Sequence, residues 1–105
     1  MEAHKIMSLC RYFRIRNNAD SLYMTEVGVS GGRVDLMVVD LRTHEVIGYE
    51  VKISREDFLN DKKWPSYTPY FNRFYFATLP GVIRKGELPL EIGHIRAQKR
   101  SPLRK

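Results

Sequence analysis

At 105 residues, with 43% hydrophobic and 29% charged side chains, the chain is sized for one soluble domain with a modest core. Eighteen Lys and Arg against twelve Asp and Glu leave a net charge of +6, which favours polyanionic partners, nucleic acid before an acidic membrane surface. One cysteine, Cys10, excludes an internal disulfide and suits a reducing cytoplasm. Apolar runs such as Leu36 to Val39 are too short to cross a bilayer, and Lys5, Arg11 and Arg14 interrupt any N-terminal leader pattern.

Residues 3 to 16 carry Ile6, Leu9, Cys10 and Phe13 at the spacing of an amphipathic helix. Asn17 to Asp20 stops it. Leu22 to Val29 reads as a strand ended by Ser30-Gly31-Gly32. Arg33 to Leu41 is apolar on both faces at Leu36 to Val39, which predicts a strand through the centre of the sheet. Val46 to Ile53 returns after a hairpin. With Thr43 and His44 as a two-residue loop, Arg42 opposes Glu45 and Asp35 lies across from Lys52, diagonal to Glu50. An odd loop would send Asp35 to the other face.

Ser54 and Asp57 have capping-box spacing, so a helix starts directly after that strand and ends or kinks at Pro65 near Trp64. Arg73 to Leu79 is a further strand, closed by Pro80-Gly81, and Ile92 to Ala97 a short last one. Residues 1–97 thus form an α/β domain with a mixed, mostly antiparallel central sheet flanked by helices. Residues 98–105 form a basic, flexible tail.

Glu50-Val51-Lys52 places a carboxylate and an ammonium two residues apart in an apolar strand, hence on one face. Two charges there are costly unless paired or bound to something. With Asp35 in register they suggest a metal-dependent phosphodiesterase site. Mg²⁺ or Mn²⁺ prefers hard oxygen ligands, so Asp35, Glu50 and the Val51 carbonyl are candidate ligands. Lys52 would act on the attacking water or stabilise charge on the phosphate.

The pattern resembles the PD-(D/E)XK nuclease superfamily, with Asp35 as the motif aspartate and Glu50-Val51-Lys52 as its (D/E)XK element. A closer resemblance is to the small MmcB-like DNA repair proteins. It rests on Thr25-Glu26-Val27, Gly32-Arg33-Val34-Asp35-Leu36, Glu50-Val51-Lys52-Ile53-Ser54, Asp57-Phe58, Asp61-Lys62-Lys63-Trp64-Pro65 and Arg73-Phe74-Tyr75-Phe76-Ala77-Thr78. The resemblance implies a restriction-endonuclease-like core of order αβββαβ and a metal-dependent nuclease site acting on DNA. Val34 stands where the superfamily name has proline. The first helix lacks a carboxylate beyond Glu2, so Glu26 is the candidate to assist Asp35, Glu50 and Lys52 in catalysis. The chain also lacks the extra elements with which larger nucleases grip DNA, so a second copy or a repair or phage partner protein would supply that grip.

Each assignment has a plainer counterpart. Glu50 and Lys52 suit a strand salt bridge, and Glu26 an exposed strand glutamate. Asp57 and Asp61 share a helical face at i, i+4 and are candidates to add acidity near the site, the plainer counterparts being a capping role for Asp57 and pairing of Asp61 with neighbouring lysines. Arg33, Lys62 and Lys63 are candidate DNA-binding residues or a solvated face, and Trp64 is expected in the core. Tyr67, Tyr70, Phe71, Tyr75 and Phe76 are expected to pack on the sheet. His4, His44 and His94 have no metal-ligand spacing. Beside the nuclease stand a non-catalytic DNA-binding repair accessory with the same fold and a protein-interaction domain.

Overall fold

The computed structural model describes residues 2–97, with side chains from His4 onward; the tail at 98–105 and the Glu2 side chain lie outside the described residues. Its elements are α1 (Glu2–Phe13), β1 (Ser21–Val29), β2 (Gly32–Asp40), β3 (Val46–Lys52), α2 (Arg55–Asn60), two short 3₁₀ turns (Trp64–Ser66 and Thr68–Tyr70), β4 (Arg73–Thr78) and β5 (Gly93–Arg96). Among the described residues no helix is long and apolar enough to cross a membrane.

Both helices end before the expected residue, α1 at Phe13 rather than near residue 16 and α2 at Asn60 rather than at Pro65. Helix α1 stops at Phe13 because Arg14 adopts a left-handed conformation, φ 58°. Arg14 N–H then returns to Arg11 O and Ile15 N–H to Cys10 O, a Schellman-type cap made without the usual glycine. Ser54 caps α2 by accepting the Asp57 N–H at 3.1 Å, as its spacing predicts. The helix ends at Asn60, well before Pro65, because Asp61 turns extended and its Oδ1 accepts the N–H groups of Lys63 and Trp64. An aspartate satisfying two following N–H groups competes with helix continuation.

The sheet order is β1-β2-β3-β4-β5, so β3, not β2, is the central strand. β1–β2 and β2–β3 are antiparallel, whereas β3–β4 and β4–β5 are parallel. The sheet is therefore evenly mixed rather than mostly antiparallel. The crossover through α2 and the 3₁₀ turns brings the chain back to start β4 at the same end as β3, which a tight hairpin cannot do.

The β2–β3 register also departs from expectation. Met37 faces Gly48, where a two-residue loop would have set it against Glu50. Asp40 N–H bonds Glu45 O, and His44 N–H bonds Asp40 O, with His44 at φ 67°. Asp40 Oδ1 also accepts the Arg42 and Thr43 N–H groups, an Asx-type turn that lengthens the loop to residues 41–44. A slip of two residues preserves which face each side chain takes. Asp35 thus comes level with Glu50 instead of Lys52.

Two apolar layers cover the sheet. On one face Cys10, Phe13 and Ile15 from α1 and the segment after it pack on Leu36, Val38, Tyr49 and Ala77. On the other, Phe58, Tyr67, Val82 and Ile83 pack on Val34, Phe74 and Phe76. Fully buried Phe76 meets Phe58, Trp64 and Phe74 edge-on, with centroids 5.6, 5.1 and 5.8 Å away. Trp64 thus belongs to the core, as expected, whereas Tyr70 is 63% exposed and not packed on the sheet. Being covered on both sides, β3 buries Gly48, Tyr49 and Glu50 in succession. That is why a charged side chain can sit at the middle of the sheet and still be shielded from water.

Candidate active site

The β2–β3 ladder ends at Leu36 and Tyr49. One residue further, two carboxylates replace the backbone pairing. The Asp35 N–H donates to Glu50 Oε1 at 3.3 Å, and the Val51 N–H donates to Asp35 Oδ2 at 2.7 Å. Where the strands part, each carboxylate thus holds the other strand's backbone. On the opposite side of β2, Thr25 pairs with Leu36 and Val27 with Val34, but Glu26 between them has φ 53°. A glutamate in the left-handed region costs roughly 1–2 kcal/mol, and such strain gathers at functional sites. The kink coincides with a change of packing: Val34 joins the α2-side layer, whereas Leu36 and Val38 stay under α1.

Lys52 follows Glu50 on the same face. Its Nζ lies 2.8 Å from Asp61 Oδ2 and 3.8 Å from Glu50 Oε2, all three side chains being nearly buried at 13%, 12% and 9% exposure. Asp61, which the sequence offered either as added acidity near the site or as a partner of neighbouring lysines, is the member that pairs with Lys52. It reaches Lys52 because the early end of α2 turns it back toward β3. Beside it, the Tyr67 hydroxyl accepts the Arg33 N–H. A Cβ on Gly32 would stand 2.0 Å from that hydroxyl, so glycine is required there for the 3₁₀ segment to dock on the start of β2.

The electrostatics are those of crowded acids. Burial, then the charge of Asp35, pushes the Glu50 carboxyl up to about 7 despite Lys52. Burial also raises Asp35, although the Val51 N–H and Lys52 favour its charged form. Burial raises Asp61 as well, but the Lys52 hydrogen bond and the Lys63 and Trp64 N–H groups outweigh it and hold the carboxyl below its ordinary value. Glu50 is therefore the acid that gains most from a cation.

The donor set fits a hard divalent ion. Among the described residues no three His, Cys, Asp or Glu side chains gather as metal ligands; the carboxylates that could meet such an ion are Asp35 and Glu50. One or two carboxylates with several retained waters is the usual way proteins hold Mg²⁺.

The remaining sequence candidates fall around this centre. Glu26 is half exposed and bound by Lys5 at 2.7 Å and Arg33 at 3.8 Å, and its charge acts on Asp35. Val51 contributes its N–H to the clasp and its side chain to the layer under α1. Arg33, Lys62 and Lys63 are exposed, the two lysines directly following Asp61. Asp57 only supplies the N–H that Ser54 caps. Across the sheet Glu50, Phe76 and His94 form one row, and Lys52, Thr78 and Arg96 the next. His94 Nε2 is 2.8 Å from Thr78 Oγ1.

This combination of a parted antiparallel pair, a carboxylate clasp and a paired lysine defines a small α/β protein with a buried acidic centre. A solved structure shares the fold: the SPO1766 protein of unknown function from Silicibacter pomeroyi, with TM-score 0.64 and 29% identity over 85% of this chain. The match covers 58% of that protein's length. No curated protein matches. The profile of the MmcB-like DNA repair proteins matches residues 5–99, and the chain belongs to that family.

Proposed function

We propose that this protein is a Mg²⁺- or Mn²⁺-dependent DNA endonuclease of the repair type, built on a restriction-endonuclease-like core and working in the cytoplasm. The observation that carries the reading is the Asp35–Glu50 clasp at the parting of β2 and β3, with Lys52 on the same face. Family membership supports DNA as the substrate, as does the net charge of +6. Asp35 and Glu50 hold the ion, and the Val51 carbonyl is the candidate third oxygen. The bound ion supplies a lowered water pKa and neutralises charge on the phosphate. Lys52, held by Asp61 at 2.8 Å, presents its ammonium to the phosphate oxygens. Glu26 biases the field at Asp35 from the next strand, and Arg33, Lys62 and Lys63 contact the DNA backbone. A second copy or a partner protein completes the grip on the duplex.

The test is cleavage of supercoiled, linear, branched and single-stranded DNA by the purified protein with Mg²⁺, Mn²⁺ or EDTA. The reading requires nicking in metal that EDTA abolishes. Salt-sensitive binding without cleavage in any metal would make the protein a DNA-binding accessory instead.

Asp61 has a separate expected signature. Asp61→Asn keeps an oxygen for the Lys63 and Trp64 N–H groups but removes the charge facing Lys52. Loss of such a positioning partner costs about 10- to 100-fold in activity. The pH–rate profile should shift along with the rate, whereas a purely structural Asp61 would leave the profile's shape unchanged.

A further inference from the structure

Beyond the acidic centre, the segment between β4 and β5, together with β5 at the sheet edge, lines an open cleft. Ile83, Leu88, Leu90 and Ile92 are among its apolar lining, and Arg84, Lys85, His94 and Arg96 its basic side. The cavity measures about 470 Å³, within the range of small-ligand sites. Among the described residues, Arg84, Lys85 and Arg96 lie within salt-bridge distance of no carboxylate, whereas Lys52 and Arg55 are paired. Glu87, the acid in the same segment, is held by the Arg55 guanidinium and the Arg84 N–H, and its charge also acts on the Arg84 side chain. Glu91 is exposed and offsets part of the charge. Leu90 is fully exposed, an apolar surface set beside Arg84, Lys85 and Arg96.

The position of the cleft matters as much as its charge. Arg96 is level with Thr78, and Thr78 with Lys52, on one face of three adjacent parallel strands. Two strand spacings, about 9.6 Å, therefore separate the lysine of the acidic centre from the cleft. A separation of that size places the cleft within a few nucleotides of the centre along one strand.

We propose that this cleft is a binding subsite for a single-stranded DNA segment continuing from the acidic centre, its phosphate held by Arg84, Lys85 and Arg96 and its base resting on Leu88 and Leu90. The assignment of DNA rests on the functional reading above, but strand binding here does not require cleavage. It also extends the DNA path to the β5 side of the sheet, beyond the backbone contacts of Arg33, Lys62 and Lys63.

Binding of a fluorescently labelled single-stranded oligonucleotide to the full chain, in EDTA and across a salt series, tests the subsite without turnover. Arg84→Gln/Arg96→Gln should weaken binding at least tenfold and lower the salt slope by about 1.4, the value for two lost phosphate contacts on a single strand. Arg42→Gln, which removes a charge at the β2–β3 turn, should change affinity less than twofold. Equal losses per charge removed in the two variants would reduce the effect to net charge and overturn the subsite, as would wild-type affinity in the double variant. Backbone amide shifts of the unaltered protein give a check independent of variant folding. Perturbation must include Lys85 to Leu88 and Gly93 to Arg96, and shifts confined to residues 33 and 61–63 would refute the proposal. Binding at the cleft with no cleavage in any metal would leave the subsite standing and remove the nuclease reading alone.

Discussion

Glu50→Gln should abolish metal-dependent cleavage, by about 10³-fold, while making the protein more stable at pH 8. The activity loss follows from removing one of the two carboxylates proposed to hold the ion. The gain in stability follows from what Glu50 endures without one. Its carboxyl sits near 7 in the fold against 4.5 for the unperturbed group, burial being the larger cause and Asp35 the next. A carboxyl raised in this way binds more protons folded than unfolded between those values. Its contribution to stability is therefore intact below pH 4.5 and is lost as pH rises to about 7. The shift corresponds to a penalty on the order of 3 kcal/mol above pH 7. Glutamine keeps the shape and an oxygen for the Asp35 N–H but carries no charge. Urea unfolding at pH 8 and at pH 4 measures the difference, which should be large at the first and close to zero at the second. Equal midpoints at pH 8, or wild-type cleavage, would contradict the assignment. For the same reason Mg²⁺ affinity should climb about tenfold per pH unit up to pH 7, because the ion displaces a proton from Glu50.

Lys52→Met should lose both properties together. The ammonium lies between Asp61 at 2.8 Å and Glu50 at 3.8 Å, with all three groups nearly buried. Removing one member of a buried ionic cluster leaves the others uncompensated, at a cost of about 3–5 kcal/mol. Methionine retains the apolar stem, so the loss reports charge rather than packing. The pH dependence has a direction. Asp61 lies below its ordinary value, burial being outweighed by the Lys52 hydrogen bond and two backbone N–H groups. Its stabilisation is present above its unfolded value and lost as pH falls through the lowered folded one. Lys52→Met should therefore be destabilising at pH 8 and remain so at pH 4, recovering toward wild type only as pH falls below the ordinary aspartate value of 3.8, as measured by thermal unfolding. Cleavage should drop about 10²- to 10³-fold, the usual loss for one electrostatic donor to a transition state. The two neutralising substitutions thus move stability in opposite directions, which a simple strand salt bridge would not do.

A site whose acid is destabilising in isolation is characteristic of function held against stability. The left-handed Glu26 adds to this. It stands beside Asp35 on the neighbouring strand and carries its own salt bridges to Lys5 and Arg33. The chain commits an ordered, strained and partly repulsive constellation to one point on the sheet, at the place where two strands cease to pair.

Much of the architecture was legible because it depends on local chemistry. The five strands lie within a residue of their alternating or apolar runs. Ser54 caps α2 because its hydroxyl needs only an N–H three residues away. The Asp35, Glu50 and Lys52 trio was legible because strand periodicity survives a register slip of two. The helix ends were not, since Arg14 closes α1 without a glycine and Asp61 ends α2 through its own side chain. The turn after β2 was misread because Asp40, outside the assumed loop, binds the Arg42 and Thr43 N–H groups.

The sequence by itself determined the strands, the face that Glu50 and Lys52 share, the positive charge and the resemblance that gathers these residues into a motif. Tertiary structure alone decided that β3 is central and buried on both sides, that Asp35 clasps Glu50 across a parting ladder, and that Asp61 holds Lys52. It also placed the Arg84–Arg96 cleft two strands from the acidic centre. The physical reason is range. Periodicity and capping act over a few residues, whereas burial, and with it the raised carboxyl of Glu50, exists only once distant segments close over the sheet.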